Sequence, residues 1–142
     1  MRVMGLDIGD KRIGVALSDP GEILASPYTI IERDIEEQGF EAIVDIIIQK
    51  DVGKVIVGLP RLMDGTIGQQ ATKVEAFVER LRSQTQAPIE LRDERLSTLS
   101  ARRLVQDSSR KTKRKTRYDA AAAAIILQAY LDERHNPAMK IE

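Results

Sequence analysis

Short apolar segments at the start of the chain predict β-strands. Residues 2–8 and 12–18 are two such segments joined by a short polar connection, which is the pattern of a β-hairpin. A third apolar segment, residues 24–31, follows them closely. The first part of the chain is therefore predicted to be an antiparallel meander of three strands.

Further along the chain the apolar residues are spaced three and four apart, which predicts helices. A first helix is predicted from about residue 34 to residue 50, with its apolar face formed by Phe40, Ile43, Val44, Ile47 and Ile48. A second helix follows a turn at Asp64-Gly65 and is expected to be capped by Thr66. Its apolar face is formed by Ile67, Ala71, Val74, Val78 and Leu81.

The remaining elements alternate in type. Residues 54–59 and 89–93 predict two more strands, the first of them nearly all apolar and therefore central in the sheet. A third helix is predicted from Ser97 to about residue 105, and a polar basic loop over residues 108–117. Asp119 is expected to open a final helix that ends near residue 134.

This order of elements predicts an α/β fold. Right-handed crossovers would make the last two strands parallel to the first, which gives a mixed five-stranded sheet flanked by helices. A chain of 142 residues suffices for one hydrophobic core, so residues 1–142 are expected to form a single domain with a loose tip at residues 136–142.

Composition excludes several classes of protein. The chain has no cysteine, which rules out disulfides and thiolate zinc sites and fits a reducing compartment. The longest apolar run, residues 120–127, is too short to span a bilayer, and no signal peptide is evident. We therefore expect a cytoplasmic protein.

Charge is unevenly distributed, although the net charge is zero. Residues 102–117 contain only one acidic residue, Asp107, but eight basic residues: Arg102, Arg103, Arg110, Lys111, Lys113, Arg114, Lys115 and Arg117. Such a segment is suited to a polyanion, such as a nucleic acid. The alternative is a solvated basic loop without a partner.

Asp7 is unusual because aspartate is depleted in strands and this one interrupts an apolar run. In the predicted hairpin Asp7 faces Gly14, and Gly5 and Ala16 share its face, which leaves space for an ion beside the carboxylate. The alternative is a strand-end aspartate that hydrogen-bonds a nearby turn.

Two further acidic positions could approach Asp7. Asp93 and Glu94 lie at the carboxyl end of the fifth strand, where α/β sheets usually bind ligands. Their side chains alternate between faces, so only one is expected near Asp7, and the sequence leaves the choice open. Asp119 precedes an alanine run that could pack closely on the sheet, although it could equally cap the helix.

A cluster of such carboxylates needs a cation. Two carboxylates about 4 Å apart repel by roughly 4 kcal/mol at an effective dielectric constant near 20. An all-oxygen ligand set favours Mg²⁺ or Mn²⁺, and two such ions can promote phosphodiester hydrolysis. The lone His135, at the end of the last helix, is interpreted as structural.

Four blocks of residues then occur in the order of a known family. They are Gly5-Leu6-Asp7-Ile8-Gly9 with Lys11 and Gly14, Val57-Gly58-Leu59-Pro60 with Met63-Asp64-Gly65, Asp93-Glu94-Arg95-Leu96-Ser97-Thr98, and Asp119-Ala120-Ala121-Ala122-Ala123. With these blocks the chain resembles the YqgF family of RNase H-like nucleases, which is related to the Holliday-junction resolvase RuvC.

The resemblance implies an RNase H-like fold and a hydrolase that acts on nucleic acid. It implies metal-binding catalytic residues at Asp7, Glu94 and Asp119, with Mg²⁺ or Mn²⁺, and a cleft lined by Gly58, Leu59, Pro60, Asp64 and Gly65. Phosphates would be bound by Lys11 and by the basic residues Arg110, Lys111, Lys113, Arg114, Lys115 and Arg117. In RuvC, one of the active-site acids lies on the strand equivalent to residues 54–59. In this chain that strand contains no acidic residue, so the resemblance implies that the glutamate comes from the next strand.

The family's role implies 5′-end maturation of precursor 16S ribosomal RNA, in ribosome biogenesis and with a possible pre-ribosomal partner; cleavage of branched DNA is the alternative. Two other classes of function compete with it. The segment Asp7-Ile8-Gly9 also resembles the first phosphate loop of actin-like ATPases and sugar kinases, but 142 residues contain no second copy. A non-catalytic protein that binds structured RNA is the remaining alternative.

Overall fold

A computed structural model of the chain describes residues 1–34, 38–60, 68–93 and 113–135, the first seven of the last range by their backbone only. Five strands form one sheet: β1 (Arg2–Ile8), β2 (Arg12–Ser18), β3 (Ala25–Glu32), β4 (Val52–Leu59) and β5 (Ile89–Asp93). Their order across the sheet is β3-β2-β1-β4-β5. The pairs β1–β2 and β2–β3 are antiparallel, whereas β4 is parallel to β1 and β5 to β4. The predicted mixed sheet is confirmed.

Three helices are described: α1 (Phe40–Gln49), α2 (Gln69–Arg82) and α3 (Lys113–His135). The predicted start of α1 near residue 34 is wrong by about one and a half turns. β3 runs on to Glu32, and Gly39 at the N-cap of α1 has a φ of 94°, a left-handed conformation that a continuing helix cannot contain. The apolar pattern correctly located the buried residues Phe40, Ile43 and Ile47 of α1 but not its first residue, and Ile48, predicted on the same face, is 72% exposed.

The predicted boundary between the basic loop and the final helix is also wrong. Helix α3 begins at Lys113, so residues 113–117 of the expected loop are helical and Asp119 is the seventh residue of the helix rather than its cap. Lysine and arginine are good helix formers, and residues 113–118 contain neither glycine nor proline, so the helix extends ahead of the alanine run.

Some predicted features lie outside the described residues. They are the Asp64-Gly65 turn, the helix at 97–105, residues 108–112 of the basic loop and the tip at 136–142. The prediction that Thr66 caps α2 is wrong, because the N-cap position is occupied by Gly68, which has an extended backbone.

The helices cover the sheet from both faces. Helices α1 and α2 pack on the face formed by Met4, Leu6 and Ile8 of β1. The opposite face of the sheet carries Val3, Ala16 and Ile56. Helix α3 packs on this face with Ala123, Ile126, Leu127, Tyr130 and Leu131. Alternate residues of β1 therefore belong to different layers, as strand geometry requires.

Helix α3 approaches β1 closely at Gly5. A Cβ atom on Gly5 would lie 2.8 Å from both the Ala123 carbonyl oxygen and the Leu127 Cβ. Only a residue without a side chain permits this separation between helix and sheet.

None of the helices described, including the long α3, is apolar over enough residues to cross a membrane.

Gly5→Ala should therefore destabilise the fold. The added methyl group meets the backbone of α3, which cannot yield without moving the helix, and overpacking of this kind costs about 1–3 kcal/mol. Urea denaturation measures the change in the free energy of unfolding.

Gly53→Ala is the matched control in the same sheet. A Cβ there would meet the side chain of Met1, which is 64% exposed and can move away, so the change should stay within about 0.5 kcal/mol. Equal destabilisation by the two substitutions would contradict the importance of the Gly5 contact.

Candidate active site

Asp7 lies one residue before the end of β1 and is partly exposed. It pairs with Gly14 on β2, as predicted, and Gly5 pairs with Ala16. Because Leu6 pairs with Val57 on β4, the residue beside Asp7 on that strand is Gly58. Neither cross-strand neighbour of Asp7 carries a side chain, so the carboxylate has room on both sides.

Asp7 shares its face of the sheet with Gly5, the residue on which α3 packs. The C-terminal half of α3 reaches the other end of the sheet, where the Lys54 ammonium lies 4.9 Å from the ring centroid of Tyr130. Helix α3 therefore runs antiparallel to β1. Position 119, one turn before Ala123, consequently lies at the Asp7 end of the sheet; the side chain of Asp119 is outside the described part of the structure.

The C-terminal half of α3 is fixed to the sheet by charged contacts around Tyr130. The ammonium of Lys54 on β4 and the guanidinium of Arg92 on β5 lie 4.9 and 5.7 Å from its ring centroid. Arg134, on the same helix as Tyr130, lies 5.6 Å from it. A hydrogen bond with Tyr130 and the neighbouring Glu90 carboxylate raise the pKa of Lys54. Arg92 also pairs with Glu133 at 2.5 Å, which ties β5 to α3.

These contacts of Arg92 indicate on which face of the sheet Asp93 lies. The Arg92 side chain points to the α3 face, so the next residue, Asp93, belongs to the opposite face and away from Asp7. Asp93 pairs with Leu59 in the register and is exposed. Glu94 lies outside the described residues.

Among the residues that the structure describes, no three potential metal-ligating side chains come together. Of the predicted acidic set, only Asp7 has a described side chain. Of the predicted cleft residues, Gly58 and Leu59 end β4 and are buried, Pro60 follows them, and Asp64 and Gly65 are not described. His135 contacts the Glu22 backbone carbonyl at 2.7 Å, in agreement with a structural role.

The turn between β1 and β2 carries the predicted phosphate contact Lys11, which is exposed. Its neighbour Asp10 lies 3.6 Å from the Lys73 ammonium of α2. Two residues that sequence reasoning missed also contact this region: Arg33 donates a hydrogen bond to the Gly9 carbonyl, and Gln70 donates one to the Ile8 carbonyl at 3.4 Å. Burial lowers the pKa of Arg33, and the nearby Asp10 carboxylate opposes this shift.

With this geometry established, comparison with known proteins decides the family. A family model described as "RuvX: Holliday junction resolvase" matches residues 1–133.

The chain belongs to the YqgF family.

Similar YqgF proteins span almost the whole chain. One from Thermoanaerobacter pseudethanolicus is 47% identical over 138 residues, covering 96% of this chain and 99% of its own. One from Desulforamulus reducens is 47% identical over 133 residues, covering 93% and 97%. Both carry the name "Putative pre-16S rRNA nuclease". We therefore assign the chain to the nucleases, in agreement with the sequence analysis, which preferred this class to an ATPase with a phosphate loop at Asp7-Ile8-Gly9.

Solved structures show the same fold. Thermus thermophilus RuvC in complex with a Holliday-junction substrate aligns with a TM-score of 0.57 at 14% identity, over 96% of this chain and 97% of that one. The fowlpox virus resolvase bound to Holliday-junction DNA aligns with a TM-score of 0.55 at 12% identity, over 99% and 100%. These likenesses confirm the RNase H-like arrangement of the sheet.

Proposed function

We propose that the chain is a divalent-metal-dependent nuclease that hydrolyses phosphodiester bonds in precursor 16S ribosomal RNA during maturation of its 5′ end, in the cytoplasm. The observation that carries this proposal is the position of Asp7. Its carboxylate lies at the end of a central strand between two glycines, on the face covered by α3. The names of the similar proteins supply the substrate.

The chemistry of the acidic residues supports a metal. Asp7, Glu94 and Asp119 would hold Mg²⁺ or Mn²⁺, since hard divalent cations prefer carboxylate oxygens and the chain has no cysteine. The glycines beside Asp7 leave the room that an ion with bound water requires. When bound, two such ions would activate a water molecule and stabilise the leaving oxygen.

The strand register supports Glu94, rather than Asp93, as the second ligand. Arg92 contacts α3 and Asp93, the last residue of β5, lies on the opposite face. In our proposal the same alternation applied to the next position would bring Glu94 to the face of Asp7. β4 supplies no alternative acid, because Lys54 is its only ionisable residue. Asp119 completes the set in our proposal because the direction of α3 brings its position to the same end of the sheet.

Basic residues would bind the phosphate backbone near this set. Lys11 lies on the turn that follows Asp7 and is exposed. Lys113, Arg114, Lys115 and Arg117 form the first turns of α3, at the end of the helix directed towards Asp7, and Arg110 and Lys111 precede them. Lysine and arginine here would supply affinity without sequence preference.

A resolvase acting on four-way DNA junctions is the second candidate, favoured by the description of the family model. A protein that binds structured RNA without cleaving it is the non-catalytic alternative. Both differ from the proposed function in what they cleave, so one assay separates them.

Asp7→Asn should abolish cleavage of precursor 16S ribosomal RNA. The amide keeps the size of the side chain but removes the charge, and a metal contributes several kcal/mol to such a reaction, so the rate should fall by about a hundredfold or more. Gel assays with precursor RNA and with a four-way DNA junction measure both activities, and calorimetry with Mn²⁺ measures metal affinity.

Asp45→Asn, an exposed acid on α1 across the sheet, controls for loss of charge and should leave both measurements unchanged. Preferential cleavage of the junction would favour the resolvase. Binding of RNA without cleavage of either substrate would favour the non-catalytic protein, and equal Mn²⁺ affinity in the wild type and Asp7→Asn would rule out the metal site.

Neutralising the start of α3 should weaken the salt dependence of RNA binding. Each phosphate contact on a single strand contributes about 0.7 to the slope of log K against log salt, so Arg114→Gln, Lys115→Gln and Arg117→Gln together should reduce the slope by about 2. Fluorescence anisotropy at several salt concentrations measures it.

The matched control removes the same charge at the opposite end of the sheet. Arg2, Lys50 and Arg82 lie at the start of β1, just before β4 and at the end of α2, so their replacement by glutamine should leave the slope nearly unchanged. Similar slopes for the two triple variants would place the RNA elsewhere.

A further inference from the structure

We infer that Arg33 is a positioning residue of the active site: it holds the end of β1 and the following turn, and thereby fixes Asp7 and Lys11. This inference rests on the proposed nuclease function. Neither composition nor spacing marks Arg33, which follows β3 in sequence and lies beside the site only in the folded chain.

Arg33 contacts the turn twice. Its guanidinium Nη1 donates a hydrogen bond to the Gly9 carbonyl oxygen, two residues after Asp7. Its backbone N–H donates to the Lys11 carbonyl oxygen at 2.8 Å. The turn is thus attached to the end of β3 by a side chain and by the backbone.

The turn is narrow and closed on itself. The Gly9 N–H donates to the Arg12 carbonyl oxygen at 2.8 Å, so Gly9 is held both as donor and as acceptor. A Cβ on Gly9 would lie 2.8 Å from the same Arg12 oxygen, which requires glycine there. From the other side Gln70 of α2 donates to the Ile8 carbonyl. The carbonyl groups of Ile8 and Gly9, the two residues after Asp7, therefore each accept a hydrogen bond from a side chain outside β1 and its turn.

Arg33 is itself held in place. Its Nε donates to the Gln38 backbone carbonyl at 3.1 Å, and its Nη2 donates to the Gln38 Oε1 at 2.8 Å. The guanidinium lies 4.8 Å from the ring centroid of Phe77, which stacks on Phe40 with centroids 4.4 Å apart. The hydrogen bond to Gly9 thus connects the turn to the aromatic part of the core, a rigid support for a site whose ligands must be held to about 0.5 Å.

The structure also offers a matched control. Arg80 of α2 places its guanidinium 4.9 Å from the ring centroid of Phe40, the other member of the same stacked pair. It covers the aromatic pair as Arg33 does but makes no described contact with the turn. Arg33→Gln and Arg80→Gln therefore each remove a cation from the same aromatic pair, and only Arg33→Gln removes the hydrogen bond to Gly9.

The experiment measures cleavage kinetics and amide hydrogen exchange in both variants. Arg33→Gln should lower kcat by between about tenfold and a hundredfold with little change in KM, as expected when a reacting group is misplaced. The Gly9 amide should exchange at least about tenfold faster, while amides of the central strand β4 keep their protection. Arg33→Lys, which can still donate to one carbonyl but cannot form the fork to Gln38, should restore part of both losses. Arg80→Gln should match the wild type.

Unchanged kcat in Arg33→Gln beside an active wild type would overturn the positioning role, and so would an unchanged Gly9 amide. An equal loss of kcat in Arg80→Gln would also overturn it, since the effect would then belong to the aromatic pair. Failure of the wild type to cleave nucleic acid is a different result: it would overturn the proposed function itself, and the positioning role with it.

Discussion

Gly5 allows helix α3 to approach β1 until the Ala123 carbonyl oxygen and the Leu127 side chain occupy the space that any Cβ would fill. This contact sets the distance between the helix and the central strand, and the contact of Lys54 with Tyr130 near the other end of the sheet fixes the direction of the helix. Asp7 lies two residues along the same face of β1, and position 119 lies one turn back along the helix. The absence of a side chain at Gly5 thus brings the backbone of α3 close to β1, and in our proposal this lets the acids at positions 7 and 119 share one metal site.

Much of this arrangement could be predicted because it depends on local periodicity. The strand order and the pairing of Asp7 with Gly14 follow from the alternation of the first two strands and the short turn between them. The starts of α1 and α3 could not be predicted, because a left-handed Gly39 and a helical run of basic residues give no apolar signal. Arg33 and Gln70 were missed because their partners are backbone carbonyls of another element, which no pattern in the sequence marks.

The end of β1 is rigid for reasons separate from its charge. Hydrogen bonds from Arg33, just after β3, and from Gln70 of α2 hold the carbonyls of Gly9 and Ile8, and the turn leaves no space for a side chain at Gly9. Carboxylates brought together on such a support cannot relieve their repulsion by moving apart, so cation binding becomes the favourable way to keep them ionised. In the proposed nuclease, a fixed strand end and a mutually repelling set of acids would together favour binding of a divalent metal beside the phosphodiester.

Mn²⁺ titration of the ¹⁵N-labelled protein, followed by paramagnetic broadening of backbone amides, tests this convergence most directly. The account predicts that the amides of residues 7, 94 and 119 lose intensity together at substoichiometric Mn²⁺, while that of Tyr28 on the edge strand β3 persists. Broadening that affects Asp7 without the other two positions, or that centres on another acidic loop such as the one at Asp19, would contradict it.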